Sequence, residues 1–277
     1  MLTLVNGQRS ELIDVRDRGL QYGDGCFETI RIENNSLVLL DRHLARLEKS
    51  CQRLGIELEL SVVLDEMQQL LAEAGQQAVM KIIITRGAGG RGYQSTPEMS
   101  PNRILQISPY PAEYEDRSVS GVDVCVCQHR LSNNRALAGI KHLNRLDQVL
   151  ASRELTPDVA EGLCLDQDDR VIEGTRSNLL LVIRGTVVST DLTCAGVEGI
   201  MLQYLLDRFR QEGIPTQCQS FSLDTLKQVD EILICNSVFG VWPVISLTDN
   251  DTVRTWSIGP LTRQAVRYQN EVFQSSN

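Results

Sequence analysis

The stretch PYPAEYEDRSVSG, residues 109–121, concentrates proline, charge and small side chains and follows neither a period of two nor one of 3.6. Such a segment cannot bury a continuous apolar face, so it reads as the connection between two packed units. A chain of 277 residues, 42% hydrophobic and 23% charged, has material for a large core and usually outgrows a single one. The expected organisation is an N-terminal domain over 1–112, a linker over 113–121 and a C-terminal domain over 122–277, sharing a cleft of the kind that commonly holds a ligand.

Outward toward the N-terminus, Leu44, Leu47, Cys51 and Leu54 recur at helical spacing within 40–54, with Asp41 to cap the start and Gly55 to end the last turn. A second helix is expected over 61–74. VMKIIIT (79–85) and RILQIS (103–108) read as strands joined by a glycine-rich loop. Toward the C-terminus, strands are expected at 122–127, 162–165, 179–183, 187–189 and 231–235, and helices at 144–154, 200–211 and 258–273. The fold class is α+β or α/β, with a smaller N-terminal α+β domain and a larger C-terminal mixed β domain flanked by helices.

The net charge of −9 and the absence of any long Lys or Arg run argue against nucleic acid and anionic membranes as partners. The opening MLTLVNGQRS lacks the basic start and apolar stretch of a secretory signal, and no later apolar run reaches membrane-spanning length, so a cytoplasmic protein is expected. The eight cysteines lie mostly inside apolar segments without paired spacing and read as reduced, buried thiols. Cys125 and Cys127 share one face of a strand, but no second CxC or nearby His cluster completes a metal site. His43, His129 and His142 are scattered, which leaves no metal spacing and no hydrolytic triad. TRGAGGRGY (85–93) lacks the GK[ST] ending of a nucleotide loop and reads as a strand connection.

In GIKHLNRLDQVL (139–150), Lys141 stands between small and apolar neighbours just before a helix. Partial desolvation there would favour the neutral amine that attacks a carbonyl. On spacing alone an ordinary surface lysine is the commoner reading. In RVIEGTRSNLLLV (170–182), Glu173 sits at a turn between two expected strands, where a carboxylate could face a pyridine nitrogen and keep it protonated. A solvated turn residue is the alternative, and Thr175, Arg176, Ser177 and Asn178 read as turn and capping residues. GVEGIMLQYLLDRF (196–209) has the form of a small-residue turn running into a helix buried along Leu202, Leu205, Leu206 and Phe209. The backbone N–H groups of Gly199, Ile200 and Met201 at its start favour a phosphate, although a plain capped helix would look the same. Arg42, Arg46 and Arg53 lie roughly on one side of the first helix, as a solvated face or as a bidentate grip on phosphate.

Together and in this order, these segments resemble the fold-type IV pyridoxal phosphate enzymes, which include branched-chain aminotransferases, D-amino acid aminotransferases and aminodeoxychorismate lyases. The resemblance runs over nearly the whole chain, through DRGLQYGDGCFETIR (17–31), the arginine of HLARL (43–47), IKHLNRL (140–146), VIEGTRSNLL (171–180), GVEGIM (196–201) and NSVFGVWPV (236–244). It implies a two-domain, D-amino acid aminotransferase-like fold and pyridoxal 5'-phosphate as cofactor. Lys141 then looks like the Schiff-base lysine, Glu173 like the partner of the pyridine nitrogen, Arg46 like the phosphate-binding arginine, and Gly199, Ile200 and Met201 like the phosphate-binding amides. Ser237 stands where family members commonly have Thr, so a phosphate contact through its hydroxyl is expected, with Asn236 beside it as a further candidate.

Within the family, GIKHLNRL (139–146), RGAGGRGY (86–93) and SPYP (108–111) are similar to the aminodeoxychorismate lyases. The implied reaction converts 4-amino-4-deoxychorismate to 4-aminobenzoate and pyruvate in folate biosynthesis, with Lys141 moving the proton and enolpyruvate leaving. The substrate is a dianion, so Arg91 and Tyr110 are candidates for its carboxylates, with Phe27 lining the ring pocket. Tyr110 reads equally as a strand-end aromatic packed on the linker. Transamination by the same machinery is the alternative. A noncatalytic cofactor-binding protein is a further one, against which the presence of both Lys141 and Glu173 argues. The resemblance also implies a homodimer.

Overall fold

The sequence GCFETIRIE places Cys26, Glu28, Ile30 and Ile32 on one face of an extended chain and Phe27, Thr29 and Arg31 on the other. In the computed structural model, which describes residues 2–90, 92–96, 98–114 and 116–274 with the side chain of Glu113 excepted, this segment is a central strand. Two compact units are present.

The first unit takes the chain up to Pro111, together with Ile140–Asn144 and the chain from Phe273 onward. Its strands are β1 (Leu2–Val5), β2 (Gln8–Arg9), β3 (Gly25–Glu33), β4 (Ser36–Leu37), β5 (Gln77–Thr85) and β6 (Asn102–Pro109). They form one antiparallel sheet in the order β2-β1-β6-β5-β3-β4. Helix α1 (Arg18–Tyr22) precedes β3, and α2 (Leu40–Leu54) and α3 (Leu60–Leu71) lie between β4 and β5 in sequence. Leu47, Cys51, Val63, Met67 and Leu70 of these two helices pack on Ile30, Ile32, Met80, Ile82, Ile84 and Leu105 of the sheet. Truncating any one of these buried leucines, isoleucines or methionines to alanine would cost about 2–5 kcal/mol.

The spacing that predicts a helix over 40–54 matches α2, but its start differs from expectation. Leu39 occupies the cap in the left-handed region at φ 54° without a side-chain hydrogen bond, and Asp41 sits in the first turn. Gly55, at φ 64°, ends the helix as expected.

Because β4 is only two residues long, the rest of that edge of β3 is open to another segment. Residues 141–143 take it. The Phe27 N–H donates to the Lys141 carbonyl at 2.9 Å, the Leu143 N–H donates to the Gly25 carbonyl at 3.0 Å, and Cys26 lies opposite His142. A Cβ on Gly25 would stand 2.3 Å from the Ile84 carbonyl oxygen and 2.8 Å from Leu143 Cδ1, so this close approach requires glycine.

The second unit holds Ala112–Gly139 and Arg145–Val272. Its strands are β7 (Val122–Leu131), β8 (Glu161–Asp166), β9 (Val171–Gly174), β10 (Asn178–Ile183), β11 (Thr186–Thr190), β12 (Thr216–Gln219), β13 (Glu231–Asn236), β14 (Gly240–Asp249) and β15 (Thr252–Thr255). They run in the order β12-β11-β10-β13-β14-β7-β8-β9, with β15 pairing β14. The sheet is mixed: β7 is parallel to both β8 and β14, β11 is parallel to β12, and the remaining pairs are antiparallel. Helices α4 (Arg117–Ser120), α5 (Leu146–Ser152), α6 (Ile200–Gln211) and α7 (Pro260–Gln274) accompany it.

Two placements differ from the sequence expectation. Residues 112–120, read largely as linker, contain a 3-10 turn and α4, and Tyr114 packs edge-on against Trp242 with ring centroids 5.1 Å apart. Contacts of Tyr114 with Phe239 and Trp242 and of Arg117 with Trp242 fasten a stretch that has no apolar period. The lysine segment, expected in the C-terminal domain, groups with the first unit because its backbone completes the β3 edge and Ile140 enters that core. All eight cysteines are free, and Cys218 is exposed on β12 rather than buried. Among the described residues, no helix is long and apolar enough to cross a membrane, and no group of three His, Cys, Asp or Glu could hold a metal ion.

Candidate functional site

The chain has four lysines, Lys49, Lys81, Lys141 and Lys227. Lys49 is exposed on α2, and Lys227 pairs with Asp224 on the surface of the second unit. Lys81 and Lys141 meet at Phe27. The Lys141 Nζ lies 4.5 Å from the centroid of the Phe27 ring, and the Lys81 Nζ lies 5.2 Å from it. Pairing fixes this geometry, since His142 opposite Cys26 turns to the helix-covered face and so points Lys141 to the Phe27 face. Lys141 is half-buried there.

Arg46 comes from α2, and its charge and that of Lys141 both bear on the neighbouring His43. Arg46 Nε donates to Glu28 Oε1 at 2.7 Å and its Nη2 to Glu28 Oε2 at 2.6 Å, and all three groups of the cluster with His43 are buried. His43 Nδ1 lies 2.7 Å from Glu28 Oε2. Burial alone would raise the Glu28 pKa, but the Arg46 guanidinium and the His43 hydrogen bond outweigh it and hold the carboxyl at about 2. Burial pulls the His43 imidazole down despite Glu28, with the charges of Arg46 and Lys141 adding to the effect. A neutral imidazole donating Nδ1–H to an ionised carboxylate accounts for both directions, and it leaves His43 Nε2 as a buried acceptor without a partner among the described residues. Neither Glu28 nor His43 was nominated from sequence. The signal for Glu28 is a carboxylate at a core-facing strand position, which only a buried cation explains.

The other first-unit candidates divide. Phe27 stands beside Lys141 as described. Tyr110 lies at the end of β6, where the Arg31 guanidinium is stacked 4.2 Å from its ring and 4.2 Å from the ring of Phe273. Arg91 lies outside the described residues. Tyr93 of the same glycine loop is anchored through its carbonyl, which accepts from Arg18 Nη2 at 2.7 Å.

In the second unit, Glu173 projects from β9 and is buried. Its Oε2 accepts the Val197 N–H at 2.8 Å and its Oε1 accepts from Gln148 Nε2 at 3.4 Å. Gly196 makes room for the carboxylate: its φ is +84°, and an added Cβ would stand 3.1 Å from Glu173 Oε2 and 2.8 Å from Ile172 Cγ2. Burial pulls the nearby Arg145 guanidinium below its usual range, with Glu173 and Asp147 opposing, and Arg145 Nε is buried without a hydrogen-bond partner among the described residues. Thr175 and Ser177 donate to the buried Glu161 carboxylate, which fastens the turn after Glu173 and leaves those hydroxyls structural.

Helix α6 begins at Ile200 after Gly199, whose φ and ψ of −69° and 141° are those of an extended cap without a side-chain hydrogen bond. The first helical bond runs from the Gln203 N–H to the Gly199 carbonyl at 3.0 Å, so the N–H groups of Ile200, Met201 and Leu202 have no acceptor within the helix. A Cβ on Gly199 would lie 1.8 Å from Asn178 Oδ1, and Asn178 is itself fixed by donating Nδ2–H to the Val197 carbonyl at 2.8 Å. Asn236 is committed to its own turn: Oδ1 accepts the N–H groups of Val238 and Phe239 at 2.9 Å, and Nδ2 donates to the Arg176 carbonyl at 3.0 Å. Ser237 beside it is half-buried and makes no hydrogen bond among the described residues.

These donors fit a group that combines an aldehyde, a pyridine ring and a phosphate. A half-buried amine, a buried carboxylate, a buried guanidinium and a helix start that tolerates no side chain at its cap are the chemistry such a group requires.

A family model described as amino-transferase class IV matches residues 25–247. The chain is 36% identical over 263 residues to an aminodeoxychorismate lyase of Vibrio harveyi, covering 94% of this chain and 96% of that protein. It is 30% identical over 287 residues to a D-alanine aminotransferase of Bacillus licheniformis, covering 100% and 99%. Among solved structures it is similar to 4-amino-4-deoxychorismate lyase from Pseudomonas aeruginosa, with a TM-score of 0.93, 44% identity and 98% of each chain covered.

Proposed function

The chain belongs to the class IV aminotransferase family and has its fold-type IV architecture, and from that premise we propose that it is a pyridoxal phosphate-dependent carbon–oxygen lyase converting 4-amino-4-deoxychorismate to 4-aminobenzoate and pyruvate, a step of folate biosynthesis. The observation that carries the reading is the 44% identity to the Pseudomonas aeruginosa lyase over 98% of both chains. The local support is the half-buried Lys141 set against the Phe27 ring.

When bound, pyridoxal phosphate supplies an electron sink for the bond to be broken. Lys141 would hold it, and its Nζ would be the base that takes the proton from the amine-bearing ring carbon. The same Nζ then protonates the departing enolpyruvate. The ring of Phe27 shields that amine on one side from water. Glu173, oriented by the Val197 N–H and given space by Gly196, would keep the pyridine nitrogen protonated. Arg46, oriented by Glu28, and the Gly199, Ile200 and Met201 amides bind the phosphate, with the Ser237 hydroxyl as a further contact. Asn236 is kept as a turn residue that positions Ser237. The enzyme works in the cytoplasm as a homodimer.

Transamination is the second reading, favoured by the 30% identity to a D-alanine aminotransferase over the whole chain. Incubating the cofactor-loaded protein with enzymatically generated 4-amino-4-deoxychorismate and no keto acid separates the two. Equimolar pyruvate and 4-aminobenzoate are expected. Amino-group exchange between amino and keto acids in a protein that releases neither product would replace the lyase reading by the transaminase one.

A further inference from the structure

The glycine-rich loop between β5 and β6 starts at the end of the sheet where the lysine segment docks. Gly25 pairs with Thr85, the last residue of β5, and the Gly25 carbonyl accepts the Leu143 N–H at 3.0 Å. Thr85 in turn pairs with Asn102, the first residue of β6. The loop has little of its own to fix it, since Gly92 stands at φ +87° with open space around its Cα. What holds it is Arg18, a cation only 3% exposed. The Arg18 backbone N–H donates to the Gly87 carbonyl at 2.9 Å, its Nη1 to the Gly92 carbonyl at 2.9 Å and its Nη2 to the Tyr93 carbonyl at 2.7 Å. Its Nε donates to Asp24 Oδ2 at 2.9 Å. Taking a guanidinium out of water is expensive, and two of the groups that satisfy this one are carbonyls of an exposed loop.

Two routes run from this loop to the segment that carries Lys141. The first passes through Asp24, which accepts Arg18 Nε and, at the root of the loop, Arg86 Nε at 2.8 Å. The residue after Asp24 is Gly25, to which Leu143 is bonded. The second passes through two rings: Tyr93 meets Tyr22 edge-on with centroids 5.4 Å apart, and the Arg18 guanidinium lies 4.9 Å from the Tyr22 ring. The residue after Tyr22 is Gly23, whose carbonyl accepts Asn144 Nδ2–H at 3.0 Å. From this arrangement we infer that Arg18 is a positioning residue: it keeps Gly92 and Tyr93 in one place beside the Lys141 segment, and the stretch so held forms part of the surface against which the substrate binds. The inference rests on the lyase reading above and adds a positioning residue to it. Without the clamp the loop samples other conformations and the substrate binds only the competent fraction. The apparent affinity then falls by that fraction, while the bound complex reacts as before.

The test uses the cofactor-loaded protein with Arg18→Lys and, separately, Gly92→Ala. Arg18→Lys keeps a charge opposite Asp24 but has no planar fork for two carbonyls. Gly92→Ala leaves Arg18 in place and its Cβ meets no atom within 4 Å, so it acts only by disfavouring the positive φ. KM and kcat for 4-amino-4-deoxychorismate are measured for each, with the cofactor's visible band and the thermal midpoint as checks on the fold. Both variants should raise KM roughly 10-fold, the figure for a loop that is competent about a tenth of the time, with kcat within about threefold of wild type. Limited proteolysis should cut the loop faster in both. A merely structural Arg18 would lower the midpoint and leave KM where it was. If Arg18→Lys does not hold its fold, Gly92→Ala decides. A folded variant with the wild-type KM, in a protein whose wild type makes both products, overturns the inference and leaves the lyase reading intact. Wild type that makes neither product overturns the reading and the inference with it.

Discussion

The two units hold their candidate groups in different ways. In the first, side chains hold side chains: Glu28 and His43 fix Arg46, and the Phe27 ring sits under Lys141. In the second, the backbone does this work: the Val197 N–H orients Glu173, Gly196 makes its space, and Gly199 opens a helix whose first amides lack internal acceptors. A side-chain grip is titratable and fails when a charge is removed. A backbone grip is indifferent to charge and fails when a Cβ is added.

That contrast can be broken in four places, in descending order of effect. Glu173→Gln removes the charge that would keep the pyridine nitrogen protonated, and kcat should fall about 10²- to 10⁴-fold, the range of an acid–base contribution, with the fold intact by circular dichroism. An activity within threefold of wild type would remove Glu173 from the mechanism. Glu28→Gln leaves a buried guanidinium without its counter-charge, and urea unfolding should show a loss of about 3–5 kcal/mol, with weaker cofactor binding. A loss below about 1 kcal/mol would mean Arg46 finds water instead.

The third effect is acid lability. Glu28 is held at about 2, below the usual carboxylate range, so its stabilisation is complete above pH 4.5 and disappears as pH falls toward 2. His43 is depressed for a different reason, burial, and the unfolded chain takes up that proton first as pH drops below 6.5, which also disfavours the folded state. Stability should fall by something on the order of 3 kcal/mol from the Glu28 effect alone, and Glu28→Gln should flatten the curve over that window. A parallel pH profile in the variant would contradict the cluster's role. The smallest effect is Gly199→Ala, where the Cβ meets Asn178 Oδ1 and must move the helix start. Pyridoxal phosphate should bind about tenfold more weakly, and pyridoxal, which lacks the phosphate, should bind as before. Equal losses for both would point to general distortion.

The same contrast explains what could be read from sequence. Lys141, Glu173, Arg46 and the GVEGIM turn took their roles from the family resemblance, because on the residues alone each had an ordinary reading as well. Strand β3 was not delineated, because Glu28 interrupts the apolar alternation that marks a core-facing strand, and its compensation arrives from α2, fifteen and eighteen residues further along. Lys81 is one polar residue in a strongly apolar run, and its place beside Phe27 depends on pairing with β3, which is non-local. Asn236 was nominated from a motif, and the bonds of its amide to two N–H groups of the turn and to one carbonyl are something no spacing reveals. Tyr110 carries two readings, and the Arg31 guanidinium stacked on its ring is a contact that its place in the sequence does not show.

The claim on which the rest depends is that Lys141 is the reactive amine. With only four lysines in the chain, borohydride reduction of the cofactor-loaded protein followed by peptide mapping tests it directly. The account predicts a pyridoxyl group on Lys141 alone, lost in Lys141→Ala. A label on Lys81, Lys49 or Lys227 in the wild-type protein, or one that persists in the variant at wild-type yield, would contradict it.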